Sequence, residues 1–161
     1  MNRIRVPPML AALVQTGFLA VDGMEFSRLD VCPACGGELS GYDTKERKFG
    51  TLATENGNRE IRVKVRRYQC RQCGIVSPAR SPFYPDTRLG SPVVDLCIVF
   101  SQAMPCNRAA KVMREIGIII DRGTVQNYAE RKFGPIATTE MFGLKIPRSL
   151  ISLSVIGTRP R

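Results

Sequence analysis

The sequence predicts an α+β protein: a small four-cysteine zinc ribbon built on a β-hairpin, followed by a three-helix helix-turn-helix domain. Three observations predict it. Two cysteine pairs of identical spacing bracket a segment in which apolar and basic residues alternate. Three helical patterns punctuated by Pro, Asn, Gly and Asp follow. The third is charge: the 161-residue chain carries +10, yet residues 1–60 hold seven Lys or Arg against eight Asp or Glu, so the excess lies beyond Glu60. Such an asymmetry reads as a nucleic-acid-binding half joined to a nearly neutral one; the plainer alternative is a solvated basic face.

The chain has no histidine. A Ser-His-Asp triad, an imidazole acid or base and a mixed Cys/His metal site are thereby excluded. Any zinc site must be all-cysteine, or cysteine with carboxylate. The expected organisation is an N-terminal helical or irregular segment (1–29), the zinc ribbon (30–80), a linker (81–90), the helix-turn-helix domain (91–134) and a tail (135–161).

Near the start, residues 9–21 are nearly uncharged but are broken by Gln15-Thr16-Gly17, and they fall short of the roughly eighteen residues that a membrane span needs. Arg3 and Arg5 precede this stretch as in a signal peptide. Pro7-Pro8, the polar interruption and the lack of a clean small-x-small site argue against one. A short helix ending near Gly17 is expected instead, in a cytoplasmic chain whose thiols stay reduced and available to metal.

Cys32-Pro33-Ala34-Cys35-Gly36 and Cys70-Arg71-Gln72-Cys73-Gly74 repeat one pattern. Two thiolates can reach one ion at about 2.3 Å only if the backbone turns tightly, and glycine after the second cysteine tolerates the backbone conformation this requires. Cys32, Cys35, Cys70 and Cys73 would complete a tetrahedral shell with no open position, so the Zn2+ would be structural. The 34 residues between Cys35 and Cys70 exceed the usual spacer of about 15–20. A hairpin accounts for them: a strand over 48–54, Asn56-Gly57 in the turn, and a return strand over 59–69. In the return strand Ile61, Val63 and Val65 alternate with Arg62, Lys64 and Arg66, so the bases share one face. That face either lies on phosphates or is the solvated side of a half-buried strand. Cys97, within an apolar run, is expected in the core, and Cys106 in a turn; neither is assigned to metal.

Pro82-Phe83-Tyr84-Pro85 marks the linker. Ser91-Pro92 then starts a helix, with Ser as its cap, and Met104-Pro105 ends it. Asn107 caps a second helix over 108–116, which Gly117 closes. Asp121 caps a third over 122–133, with Val125, Tyr128, Ala129 and Phe133 inward. Arg122, Thr124, Gln126, Asn127, Arg131 and Lys132 face outward. A recognition helix needs such a set, since Gln and Asn can read adenine, Arg guanine, and Lys phosphate. A plain helical bundle with a polar surface is the alternative. Ile151-Ser152-Leu153-Ser154-Val155 alternates and reads as a strand.

The order CPACG, hairpin, CRQCG, then SPFYPDTRLGSPVVDL and PCNRAAKVMREIGIIIDRGTVQNYAERKFG resembles, over roughly residues 30–150, the N-terminal part of insertion-sequence transposases of the DDE type. Archaeal transposases with a zinc ribbon before a helix-turn-helix are the nearest in pattern. The resemblance implies double-stranded DNA as partner and a homo-oligomer, since transposases commonly act as multimers. In that family a ribonuclease-H-like domain follows, whose three carboxylates hold two metal ions for strand transfer. It is expected to be missing here, because Glu140 is the last acidic residue. The reading is therefore a non-enzymatic, sequence-specific DNA-binding transposase fragment. Its rivals are a zinc-ribbon transcription regulator and a zinc-ribbon RNA- or protein-interaction module.

Overall fold

The fold, a computed structural model, describes residues 6–141 and 143–156; Arg3 and Arg5 lie outside them. Among the described residues the order is α1 (Pro8–Val21), β1 (Glu25–Phe26), β2 (Leu39–Thr54), β3 (Gly57–Cys70), β4 (Val76–Pro78), α2 (Ser91–Ala103), α3 (Cys106–Ile116), α4 (Arg122–Glu130), β5 (Thr138–Met141), β6 (Leu144–Pro147) and α5 (Arg148–Ile156). No helix among them is long and apolar enough to cross a membrane.

β2 and β3 form one long antiparallel hairpin, paired from Leu39 opposite Cys70 to Thr54 opposite Gly57. The turn is Glu55-Asn56, closed by Gly57 at φ 109°. A turn centred on Asn-Gly would need positive φ at Asn56 as well; here glycine alone carries it. On the far edge β3 takes β1 in parallel and β4 antiparallel, giving a four-stranded mixed sheet. β5 and β6 make a separate two-stranded hairpin.

Period-two alternation along β3 buries Ile61, Val63 and Val65 and leaves Arg62, Lys64 and Arg66 on the opposite, more exposed face. The apolar face is covered by helices, and this overturns the expected fold class. The ribbon is not followed by a separate three-helix bundle. The turn between α3 and α4 is hydrogen-bonded to β2: Ala53 N donates to Gly117 O at 2.7 Å and Ile119 N to Thr51 O at 2.9 Å, with Ile118 bridged to Leu52. One continuous apolar cluster runs from Leu10 in α1 through Phe49 and Leu52 in β2 to Leu153 in α5. The physical reason is that an alternating strand declares a buried face without declaring what buries it.

Phe49 is the wedge of this junction. It sits where the β2 register shifts, between Lys48 and Gly50, fully buried. Its ring meets Phe18 of α1 edge-on at 5.2 Å and Phe83 of the 79–90 segment at 6.1 Å. Gly90 presses against it: a Cβ there would lie 2.4 Å from the ring, while Gly90 N donates to Phe49 O at 2.9 Å. Gly90, not Ser91, precedes α2, and no side chain caps the helix.

The helices follow their local signals. α1 runs past Gly17 to Val21, burying Leu10, Val14, Phe18 and Val21 on one side. α2 is buried along residues 92–100, including Asp95, as expected of a helix that is apolar nearly all round. Asp95 accepts hydrogen bonds from the Tyr84 hydroxyl and from Ser149 Oγ of α5 at 2.5 Å. Burial and the Asp95 carboxylate raise the Tyr84 pKa. Pro105 precedes α3, which starts at Cys106, earlier than expected, and Gly117 closes it in the left-handed conformation at φ 112°. Asp121 caps α4 by accepting from Thr124 N at 2.6 Å, and the helix ends at Glu130, before Phe133.

Residues 151–155 are not a strand; they belong to α5. Leu150 and Leu153, three apart, share its buried face, a helical spacing that the Ser/β-branched alternation masked.

The Phe49–Gly90 contact should be the least forgiving glycine site. Gly90→Ala is expected to cost about 1–3 kcal/mol in urea unfolding, as an overpacked core does. Gly123→Ala, with only the Asp121 side chain at 3.5 Å, should be neutral or stabilise by up to about 1 kcal/mol.

Candidate metal centre

The open end of the β2–β3 hairpin carries two short loops. In the first, Gly36 N donates to Cys32 O at 2.8 Å and Cys32 N to Gly37 O at 3.0 Å; in the second, Gly74 N donates to Cys70 O at 3.1 Å and Cys70 N to Ile75 O at 2.9 Å. The two loops thus repeat one hydrogen-bond pattern, and Gly36 and Gly74 share φ values of 76° and 77°. The Cys-x-x-Cys-Gly spacing produces this directly, since the residue after the second cysteine must turn back in the left-handed region.

The loops face each other. Arg71 N donates to Glu38 O at 2.9 Å across the gap, and the sulfurs of Cys32, Cys35, Cys70 and Cys73 all lie within 4.8 Å of one another. Cys32 Sγ is 3.6 Å from Cys73 Sγ, and Cys35 Sγ is 3.4 Å from Cys70 Sγ. These separations are far beyond a disulfide bond of about 2.05 Å. They approach the edge of about 3.8 Å of a tetrahedron whose centre is about 2.3 Å from each sulfur. Four sulfurs converging from two loops are a donor set suited to one structural metal ion.

The sulfurs are cradled by backbone amides. Gln72 N and Cys73 N point at Cys70 Sγ at 3.3 and 3.4 Å. The Cys73 amide foremost, helped by Gln72, lowers the Cys70 pKa to about 6. The Cys35 amide similarly lowers that of Cys32. At Cys35 the Gly37 amide favours the thiolate, but the crowded sulfurs of Cys70, Cys73 and Cys32 together with desolvation outweigh it and raise the pKa to about 12. At Cys73 the Ile75 amide favours the thiolate, but desolvation together with the Cys70 and Cys32 sulfurs outweighs it and raises the pKa. Like charges held this close need a cation or protons between them. Gly37 lies against the cluster: a Cβ there would sit 2.8 Å from Cys70 Sγ and 3.1 Å from Cys35 Sγ. Cys97 is buried in α2 and Cys106 half-buried at the start of α3, both outside the cluster.

The other sequence-selected residues lie elsewhere. Arg62, Lys64 and Arg66 share the outer face of β3, which is not uniformly basic. Arg62 binds Glu60 at 2.7 Å and approaches Glu46 at 3.8 Å, Lys64 stands opposite Glu46, and Arg66 lies over Tyr68, 5.3 Å from the ring centre. On α4, Arg122, Gln126 and Asn127 are exposed and Thr124 is half-buried; Gln126 Nε2 donates to Glu130 at 3.2 Å. Arg131 follows the helix and is tied down, donating to Asp86 O at 3.1 Å and lying 4.9 Å from the Phe133 ring centre. Lys132 is exposed.

Residues 32–82 are similar to a domain of unknown function, DUF6431. The DUF6431 match begins at Cys32 and takes in both loops and the whole hairpin, so the part of the chain it covers is the part that builds the sulfur cluster. No curated protein and no solved structure matches the chain significantly.

Purified chain should hold one thiophilic divalent ion per molecule by elemental analysis. Cys32→Ser and Cys70→Ser should lose it, whereas Cys97→Ser should retain it. Because thiolates are the ligands and Cys35 keeps its proton in the metal-free state, loading should release protons, and apparent affinity should rise with pH. Affinity that is flat between pH 6 and 8 would contradict four-thiolate ligation.

Proposed function

We propose that the chain is a sequence-specific binder of double-stranded DNA, the DNA-binding part of a transposase, with Zn2+ in the four-sulfur site as a structural ion in a cytoplasmic protein. The observation that carries the reading is α4. Its buried side is Val125 and Tyr128, and its exposed side presents Gln126 and Asn127 with Arg122 on one flank, in the part of the chain beyond Glu60 that holds all of the net positive charge. Amide side chains between cations are what base-edge readout with phosphate anchoring requires. The Asp121 cap starts α4 at a defined residue, so those amides are presented in fixed register.

Four sulfurs leave zinc no vacant position, so the ion would support the fold and take no part in chemistry. The resemblance of the motif order to insertion-sequence transposases supports the same reading, and multimers on DNA would follow from it.

Selection of bound sequences from a random duplex library tests this. The intact chain should enrich one motif, and a chelator should abolish the enrichment. Gln126→Ala with Asn127→Ala should flatten the preference by about 1–3 kcal/mol of discrimination per lost bidentate contact. Arg122→Gln with Lys132→Gln should weaken binding to all duplexes alike. Equal losses on selected and random duplexes for both pairs would overturn this division of roles.

A further inference from the structure

Beside α4 the structure opens a trough that the alternating bases of β3 do not reach. One cavity, of about 670 Å3, is lined by Lys48 of β2, Arg88 and Leu89 of the segment before α2, and Thr124, Asn127 and Arg131 on or just beyond α4. A second, of about 300 Å3, adjoins it through Lys48, Leu89 and Thr124 and adds Arg114 of α3. Four cations from four separate segments thus converge on one channel. Two carboxylates also line it. Asp121 is occupied in capping α4. Asp86 lies exposed at the rim, where its backbone carbonyl, not its carboxylate, holds Arg131.

The cations differ in what already binds them. Lys48 is 3.5 Å from Glu60, and Arg131 is held by Asp86 O. Arg88 and Arg114 are exposed and form no ion pair among the described residues. On the outer β3 face Arg62 is paired with Glu60 and faces Glu46, while Lys64 and Arg66 form no ion pair among the described residues. A phosphodiester strand entering the trough would meet Arg88 and Arg114 with no ion pair to break and would displace Glu60 from Lys48, whereas on β3 it would have to break the Arg62–Glu60 pair beside Glu46.

We infer that this trough is the seat of the DNA backbone: phosphates of one strand bind Arg88, Arg114 and Lys48, with Asn127 on the trough's lip. This rests on the DNA-binding reading and adds to the anchoring by Arg122 and Lys132 three phosphate contacts drawn from β2, the 79–90 segment and α3, where the alternation along β3 points to Arg62, Lys64 and Arg66.

The salt dependence of duplex binding decides it. Each phosphate contact contributes about 0.9 to the slope of log K against log salt. The intact, metal-loaded chain is compared with Arg88→Gln/Arg114→Gln and with Arg62→Gln/Lys64→Gln, each checked for metal content and circular dichroism. The trough pair should lower the slope by about two and weaken binding at least about tenfold at roughly 0.15 M salt, with Arg88→Lys/Arg114→Lys restoring most of the slope. The β3 pair should leave both within about twofold. The reverse pattern, or equal small losses, overturns the trough while leaving DNA binding intact. If the intact chain binds no duplex in dilute salt, the DNA-binding reading itself fails and the trough as a DNA seat falls with it.

Discussion

The β2–β3 hairpin is anchored at both ends, and the rest of the structure depends on those two anchors. With strands rising about 3.3 Å per residue, its paired length is on the order of 45 Å, too long for either anchor to order the other end. At the open end there is little apolar surface: Cys32 and Cys70 are buried, but against sulfur and backbone. Order there comes from the cross-loop hydrogen bonds, and a metal ion shared by the four sulfurs would add to it. Toward the turn the anchor is hydrophobic. Phe49 fills the space between α1 and the 79–90 segment, where Gly90 presses against it, and the α3–α4 turn hydrogen-bonds directly onto β2. The chain resembles a beam with a polar clamp at one end and an apolar socket at the other.

What the sequence made legible follows from how local each determinant is. A four-sulfur site built from two Cys-x-x-Cys-Gly loops is specified within five residues each time, so the cluster could be read before any fold was known. Gly117 and Asp121 are equally local, because a helix end is satisfied by neighbours within one turn. Less legible were elements whose existence depends on a distant partner. β1 has two residues and exists only because β3 offers an edge. The fold class itself failed for this reason. Ile61, Val63 and Val65 announced a buried face, but nothing local says that α1, α2 and the α3–α4 turn cover it. In α5, Leu150 and Leu153 fix a helical face, yet the interleaved Ser and β-branched residues carry a strand-like rhythm that tertiary packing overrode.

Charge shows the same limit. Alternation along β3 correctly placed Arg62, Lys64 and Arg66 on one face, but the potential of that face is set by cross-strand register. Register puts Glu46 opposite Lys64, and Glu60 on β3 itself reaches Arg62. Three positions further along the register, Arg67 is matched with Asp43 through two hydrogen bonds, which hold the Asp43 carboxyl below its ordinary pKa. A run of bases in one strand therefore attracts acids from its partner, as cross-strand pairing favours. The less compensated cations stand alone in sequence, Arg88 before α2 and Arg114 on α3, and only the fold gathers them.

That gathering depends on the junction that defeated the expected division into ribbon and bundle. Lys48 comes from the hairpin, Arg114 from the helix before the turn, and Asn127 from the helix after it. They line adjoining cavities because Ala53 and Ile119 bond across the seam and the β2 register shifts at Phe49, beside Lys48. A detached α2–α4 segment would keep the exposed side of α4 and lose the wall that faces it. The hairpin is then more than a carrier for the sulfur site: its apolar end positions one side of the basic channel, so stability at the sulfur end and geometry at the channel are properties of a single pair of strands.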